Sequence, residues 1–153
     1  MQPKTYKNET ALVKDIWENI VEQHPTAYLI KIHGGQYQEA GIPDLMSSID
    51  GLLIGIEVKH QKPGESYMTA VDRTTMRQRR HIARIVQSGG MAGVALSVEE
   101  ALDLIKLAKL KQRMMGRGVP LDQLPLPPHW DFLMKVPEGK VIKAEPVRPI
   151  PHP

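Results

Sequence analysis

The stretch Gly41-Ile-Pro-Asp44-Leu-Met-Ser-Ser-Ile-Asp50-Gly51-Leu-Leu-Ile-Gly-Ile-Glu57-Val-Lys59-His60 holds two short apolar runs on either side of Asp50-Gly51. An Asp-Gly pair between such runs favours a two-residue hairpin with a type I′ turn, because both central residues must take positive φ. The reading is strand, tight turn, strand. In that register Ile49 faces Leu52, Ser47 faces Ile54 and Leu45 faces Ile56 on one side of the sheet. On the other side Ser48 meets Leu53, Met46 meets Gly55 and Asp44 meets Glu57. The strand period of two keeps Lys59 on the side of Glu57 and turns Val58 into the core. Directly opposed residues of an antiparallel pair have Cβ atoms about 4.5 to 5.5 Å apart, so two carboxylates there repel unless a positive charge lies between them. Asp44, Glu57 and Lys59 therefore form one cluster that asks for a cation. A hard divalent ion suits an acidic pair, since it takes one or two carboxylates plus waters and phosphate oxygens.

Outward from the hairpin, residues 9 to 23 read as an amphipathic helix with Asn8 as N-cap, ended by His24-Pro25. Its stripe runs Glu9, Leu12, Val13, Ile16, Ile20, so the face that packs on the sheet carries a carboxylate in its first turn. Glu9 there is either a charge favoured by the helix macrodipole or an acid belonging to the cation site. Ala27 to His33 alternates as a strand, broken by Gly34-Gly35, and Lys31 is expected to face the cleft and touch phosphate. Residues 34 to 41 read as a loop bordering the site, with His33 a polar surface residue. After Lys59, turn chemistry at 61–66 and polar residues to Thr75 suggest a mobile loop. A helix over 75–88 follows, closed by Ser88-Gly89-Gly90, with Gln78, Ile82 and Ile85 inward. Arg73, Arg77, Arg80 and Arg84 fall along a neighbouring stripe, which is either a solvated face or a track for a phosphate backbone. Ala92 to Leu96 is a short buried strand, and Ser97-Val98-Glu99-Glu100 is a capping box opening a last helix to about residue 113, with Leu102, Leu104, Ile105 and Ala108 on its core side.

The whole chain has 153 residues, enough for one hydrophobic core and too few for two comfortable ones. With 41% hydrophobic and 24% charged residues it is ordinary for a globular protein, and no apolar run reaches the ~20 residues of a membrane span. No membrane partner is expected. The first residues lead into no apolar signal segment, and cysteine is absent, which removes disulfides and thiolate sites and leaves oxygen and imidazole as metal ligands. The expected compartment is the cytoplasm. A net charge of +3 is compatible with a polyanionic partner without specifying one. Nine of the thirteen prolines lie between Pro120 and Pro153, a density that excludes helix and central strand. His129 to Met134 is nonetheless too apolar for a free tail. The expectation is a core over 1–113 and a Pro-rich extension over 114–153 that docks on it or on a second subunit, with a small hairpin about Pro137-Glu138-Gly139 and a loose tip.

Gly41-Ile-Pro-Asp44, followed after a hairpin and a 12-residue gap by Ile-Glu57-Val-Lys59, resembles the PD-(D/E)xK nuclease superfamily, and within it the VRR-NUC family, over about residues 9 to 110. The resemblance implies a restriction-endonuclease-like α/β (α+β) core in the order helix, three strands, helix, strand, helix, around a mixed central sheet. It implies a metal-dependent DNA endonuclease of a bacterium or phage-infected cell. Asp44, Glu57 and the Val58 carbonyl would hold one or two Mg²⁺ or Mn²⁺ ions, with Glu9 as a further ligand. Lys59 would orient the attacking water, Gln78 matches a glutamine that family members place near the active site, and Lys31, Arg73, Arg77, Arg80 and Arg84 would position DNA. Free-standing members resemble Holliday-junction resolvases, which implies branched DNA and a homodimer, and no nucleotide cofactor. Two other outcomes are a non-catalytic DNA-binding accessory module on the same fold and a restriction-type endonuclease acting on linear duplex.

Overall fold

In the computed structural model, which describes residues 4–36 and 38–135, Asn8 accepts a hydrogen bond from the Ala11 N–H and opens α1 (Glu9–Gln23). The buried stripe of α1 is the expected Leu12, Val13, Ile16 and Ile20. Strand β1 (Tyr28–Lys31) follows, then β2 (Leu45–Ile49) and β3 (Leu52–Val58) joined through Asp50 and Gly51, whose φ angles of 52° and 78° are those a type I′ turn requires. The anticipated register forms from Ile49↔Leu52 to Leu45↔Ile56, and the ladder stops one residue short of the anticipated Asp44–Glu57 pair.

After β3 come α2 (Tyr67–Asp72), α3 (Met76–Gln87), β4 (Met91–Ala95), α4 (Val98–Met115), a 3₁₀ turn (Leu121–Gln123) and α5 (Trp130–Met134). The sheet order is β1-β2-β3-β4; the first two pairings are antiparallel and β3–β4 is parallel. This is the expected mixed α+β sheet and order of main elements, with two short helices, α2 and α5, and a 3₁₀ turn added; the last two lie in the Pro-rich segment, whose prolines do not exclude helix after all.

Side-chain alternation sorts the helices into two layers. Leu45, Ile54, Ile56, Val58 and Met91 join the residues of α1 and α4 in the larger core. Ala92 and Val94, on the opposite face of β4, pack with Ile82 of α3 and Leu133 of α5. Fully burying a Leu or Ile side chain contributes about 1.5 to 3 kcal/mol, so these two layers are the main source of stability. Gly93 allows α4 to approach, since an added Cβ would lie 2.8 Å from a Leu104 methyl.

Several expectations are corrected. Residues 67 to 72 are a helix, not a mobile loop: Ser66 caps it by accepting from the Thr69 N–H, and Ala70 and Val71 are fully buried. Thr-rich polarity hid a two-residue apolar anchor. In α3 the buried residues are Ile82, Ala83 and Val86, and Ile85 is only half-buried. At the start of α4 the Ser97 hydroxyl accepts from the Glu100 N–H as expected, but Glu100 returns to the Leu96 N–H rather than to Ser97. Leu133 and Met134 belong to α5 and so cannot be a hairpin arm; the expected Pro137-Glu138-Gly139 turn and the loose tip lie outside the described residues.

The described part of the extension does dock on the core. Trp130 and Leu133 are buried, Arg79 of α3 donates to the carbonyls of Phe132 and Lys135, and its guanidinium lies 4.2 Å from the Phe132 ring centre. The Tyr67 hydroxyl donates to Glu100 at 2.6 Å and lies 2.8 Å from His129 Nδ1, which ties α2, α4 and the entry to α5 together.

Candidate active site

Pro43 explains how the site opens. In the hairpin register it would pair with Val58, but it has no N–H to give. The ladder ends there, and Asp44 Oδ2 accepts the Val58 N–H at 2.8 Å in place of a backbone carbonyl. A strand residue points its N–H and C=O to the same edge, so the Val58 carbonyl is aimed toward Asp44 with no ladder donor opposite. The Asp44 carbonyl is held from the other side by the Ile32 N–H at 2.8 Å. Asp44 is thereby fixed at both backbone and side chain, half-buried, with Oδ1 left over.

Glu57, one residue past the last ladder pair and near enough to Asp44 to feel its charge, is only 1% exposed. Its Oε1 receives the Lys59 ammonium at 3.0 Å and the Gln78 amide N–H at 2.6 Å. Its Oε2 is buried and has no hydrogen-bond partner among the described residues. Burial pushes the Glu57 carboxyl up to about 7; the neighbouring Asp44 charge adds to this, Lys59 opposes it, and Glu9 contributes weakly in the same direction as Asp44.

Gln78 is oriented by the start of its own helix. The Thr75 hydroxyl accepts the Gln78 N–H at 3.2 Å and Gln78 Oε1 accepts the Thr75 N–H at 2.9 Å, a reciprocal capping box. With the amide oxygen committed to Thr75, the amide nitrogen must face Glu57. The same oxygen accepts from Lys59 Nζ at 3.2 Å. Two of the three ammonium donors are thus used, and one remains for a water or phosphate oxygen. The box was readable as Thr75-Met-Arg-Gln78, a signal the sequence carries openly.

Asp44, Glu57, Lys59 and Gln78 therefore come together at one end of the β2–β3 hairpin. Asp44 and Gln78 also line a cleft of about 480 Å³ whose far wall is the Gly34–Gly41 loop. Glu9 does not join them: among the described residues no three acid or imidazole groups converge tightly enough to share an ion. It is felt by Glu57 only through its field. The donors at hand are Asp44 Oδ1, the orphaned Glu57 Oε2 and the Val58 carbonyl, an all-oxygen set that fits Mg²⁺ or Mn²⁺ completed by waters.

Two of the basic residues are elsewhere. Lys31 pairs with Leu45, which puts it on the sheet face opposite Asp44 and Glu57; a one-residue change of parity moves a side chain across the sheet. Arg73 caps the end of α2 and is bound to Glu65 at 2.9 Å and to the His60 carbonyl, so it braces the segment after Lys59. Arg77, Arg80 and Arg84 do share a cleft, together with His81, which the sequence had not singled out. His33 is exposed, as expected.

Compared with known proteins, the chain matches no family model and no curated protein. It is similar to a solved structure described as a VRR_NUC domain, with 19% identity and a TM-score of 0.43, over 61% of this chain and 92% of that one.

Proposed function

We propose that this protein is a divalent-metal-dependent DNA endonuclease with a preference for branched substrates. The observation that carries the reading is Glu57 Oε2, a buried carboxylate oxygen without a partner, set opposite Asp44 while Lys59 and Gln78 occupy the other oxygen. Leaving a buried carboxylate oxygen unsatisfied is costly, and a cation at Oε2 would offset that cost.

A bound Mg²⁺ or Mn²⁺ supplies an acidified water and polarises a phosphoryl oxygen. Asp44, Glu57 and the Val58 carbonyl would hold it. Gln78 holds the Glu57 carboxylate and the Lys59 ammonium in fixed relative positions, so neither must reorganise during the reaction. Lys59, with one ammonium donor left over, would orient the water and neutralise charge that develops on phosphorus-bound oxygens. Arg77, Arg80 and Arg84 hold the strand beside the cut by its phosphates.

The branched substrate and the dimer rest on the residue resemblance and on one surface. Tyr28, Ser48 and Leu53 stand in register across β1, β2 and β3, with Ile30 and Met46 in the next row. Tyr28 is 68% exposed and Leu53 44%, a face suited to a second copy of the chain, and a twofold pair would present two cutting sites to a four-way junction.

The test is incubation of four-way and linear DNA with Mg²⁺ or Mn²⁺. Symmetric nicking of the junction, lost at least a hundredfold in Lys59→Ala while that variant still binds DNA, is expected. Intact DNA with every metal means a binding module, and discrete fragments from a plasmid mean a restriction-type enzyme.

A further inference from the structure

Three clefts of about 480, 290 and 560 Å³ follow one another along the outer side of α3, and Glu39 lines all of them. The first contains Asp44 and Gln78, the second Arg77 and Arg80, and the third Arg84 and Ser88. At about 1.5 Å per residue, the rise from Arg77 to Arg84 is roughly 10 Å, which matches on the order of three phosphates on one strand. The second and third clefts thus form a basic track along α3, which starts where the Asp44–Gln78 cleft ends.

Glu39 interrupts it. It is the sole acid lining the middle cleft, where Arg77, Arg80, His81 and Arg84 supply the rest of the polar wall. Its Oε1 lies 3.3 Å from His81 Nε2. The buried Nε of Arg80 has no partner among the described residues, so the arginine cluster is not satisfied by the carboxylate alone. The loop that brings Glu39 here is anchored two residues on by Gly41, which has φ +93° and packs against the backbone of Arg77 so tightly that a Cβ would come within 2.7 Å of its carbonyl carbon.

We propose that Glu39 is a resident anion of this track: its carboxylate rests against His81 in the cleft that Arg77, Arg80 and Arg84 line, and must leave when a nucleic-acid phosphate enters. The inference rests on the nuclease reading for the identity of the strand, but not on the chemistry at Asp44 and Glu57. Because 62% of the Glu39 side chain is exposed, its hold is weak and its displacement costs little. The consequence is selectivity by charge density, with Glu39 raising the threshold for any ligand that does not bring several phosphates at once.

The experiment is fluorescence anisotropy with a short labelled duplex in EDTA, alongside cleavage of the same duplex and of a four-way junction in Mn²⁺. Glu39→Gln is expected to bind about fivefold tighter than the unaltered protein, and the gain to fall below about twofold in the His81→Ala background, because His81 is the side chain that holds the carboxylate in the cleft. An unchanged affinity for Glu39→Gln, or an equal gain with and without His81, overturns the proposal. The two readings fail separately: cleavage with an indifferent Glu39→Gln overturns the resident anion alone, and tighter binding without cleavage in any metal overturns the nuclease alone.

Discussion

Glu57 reports the character of the site through its proton. Its folded-state value of about 7 lies above the ordinary 4.5, so between those limits the folded protein keeps a proton that the unfolded chain has lost. Stability in EDTA is full below about pH 4.5, falls as pH rises and stays reduced above 7, by about 3 kcal/mol if the whole shift is expressed. Urea unfolding from pH 5 to 8 should show that decline, and Glu57→Gln should flatten it; a parallel decline in the variant would place the titrating group elsewhere. Added Mn²⁺ should act in the opposite sense and stabilise more at pH 8 than at pH 6, since it competes with the proton. Gln78 has two jobs that substitution can separate. Thr75→Ala removes a cap and should cost about 1 kcal/mol, whereas Gln78→Ala loses the cap together with the restraint on Glu57 and Lys59. Similar melting temperatures with about a hundredfold lower activity only in Gln78→Ala is the expected result. At this scale Asp44, Glu57 and Lys59 could be read from a period of two and a tight turn. The hydrogen bond from the Val58 N–H to Asp44 could not, because it depends on where Pro43 ends a ladder.

Between elements, the contact that sets the cleft is the loop 34–41 against α3. Gly41 is irreplaceable on two counts, a positive φ and a backbone–backbone approach. Gly41→Ala should destabilise by about 2 kcal/mol and weaken DNA binding with it, while Gly34→Ala, at a position with open space, should change stability by less than about 0.5 kcal/mol. Thermal unfolding of the pair measures the difference; equal losses would show that the loop does not depend on that approach. The helices at 9–23 and 76–87 were legible because caps and apolar spacing agree. Residues 67–72 were not, since a six-residue helix with two apolar positions gives no periodic signal.

For the molecule as a whole, the exposed Tyr28, Ile30 and Leu53 are the face on which the proposed assembly is tested. Sedimentation should show a dimer that Tyr28→Lys with Leu53→Lys converts to a monomer with its fold intact, and junction cutting should then yield single nicks. A monomeric parent protein refutes that face as an interface. The sequence alone determined the hairpin, its register, the order of the main elements and the grouping of two acids with an amine, all consequences of contacts close along the chain. Only the tertiary structure decided which basic residues reach the cleft. Lys31 was lost to the far face by strand parity, Arg73 was taken by Glu65 and the His60 carbonyl, and Glu39 was brought to α3 by a glycine contact across 36 positions. Those outcomes depend on packing between segments distant in the chain, for which local spacing carries no information.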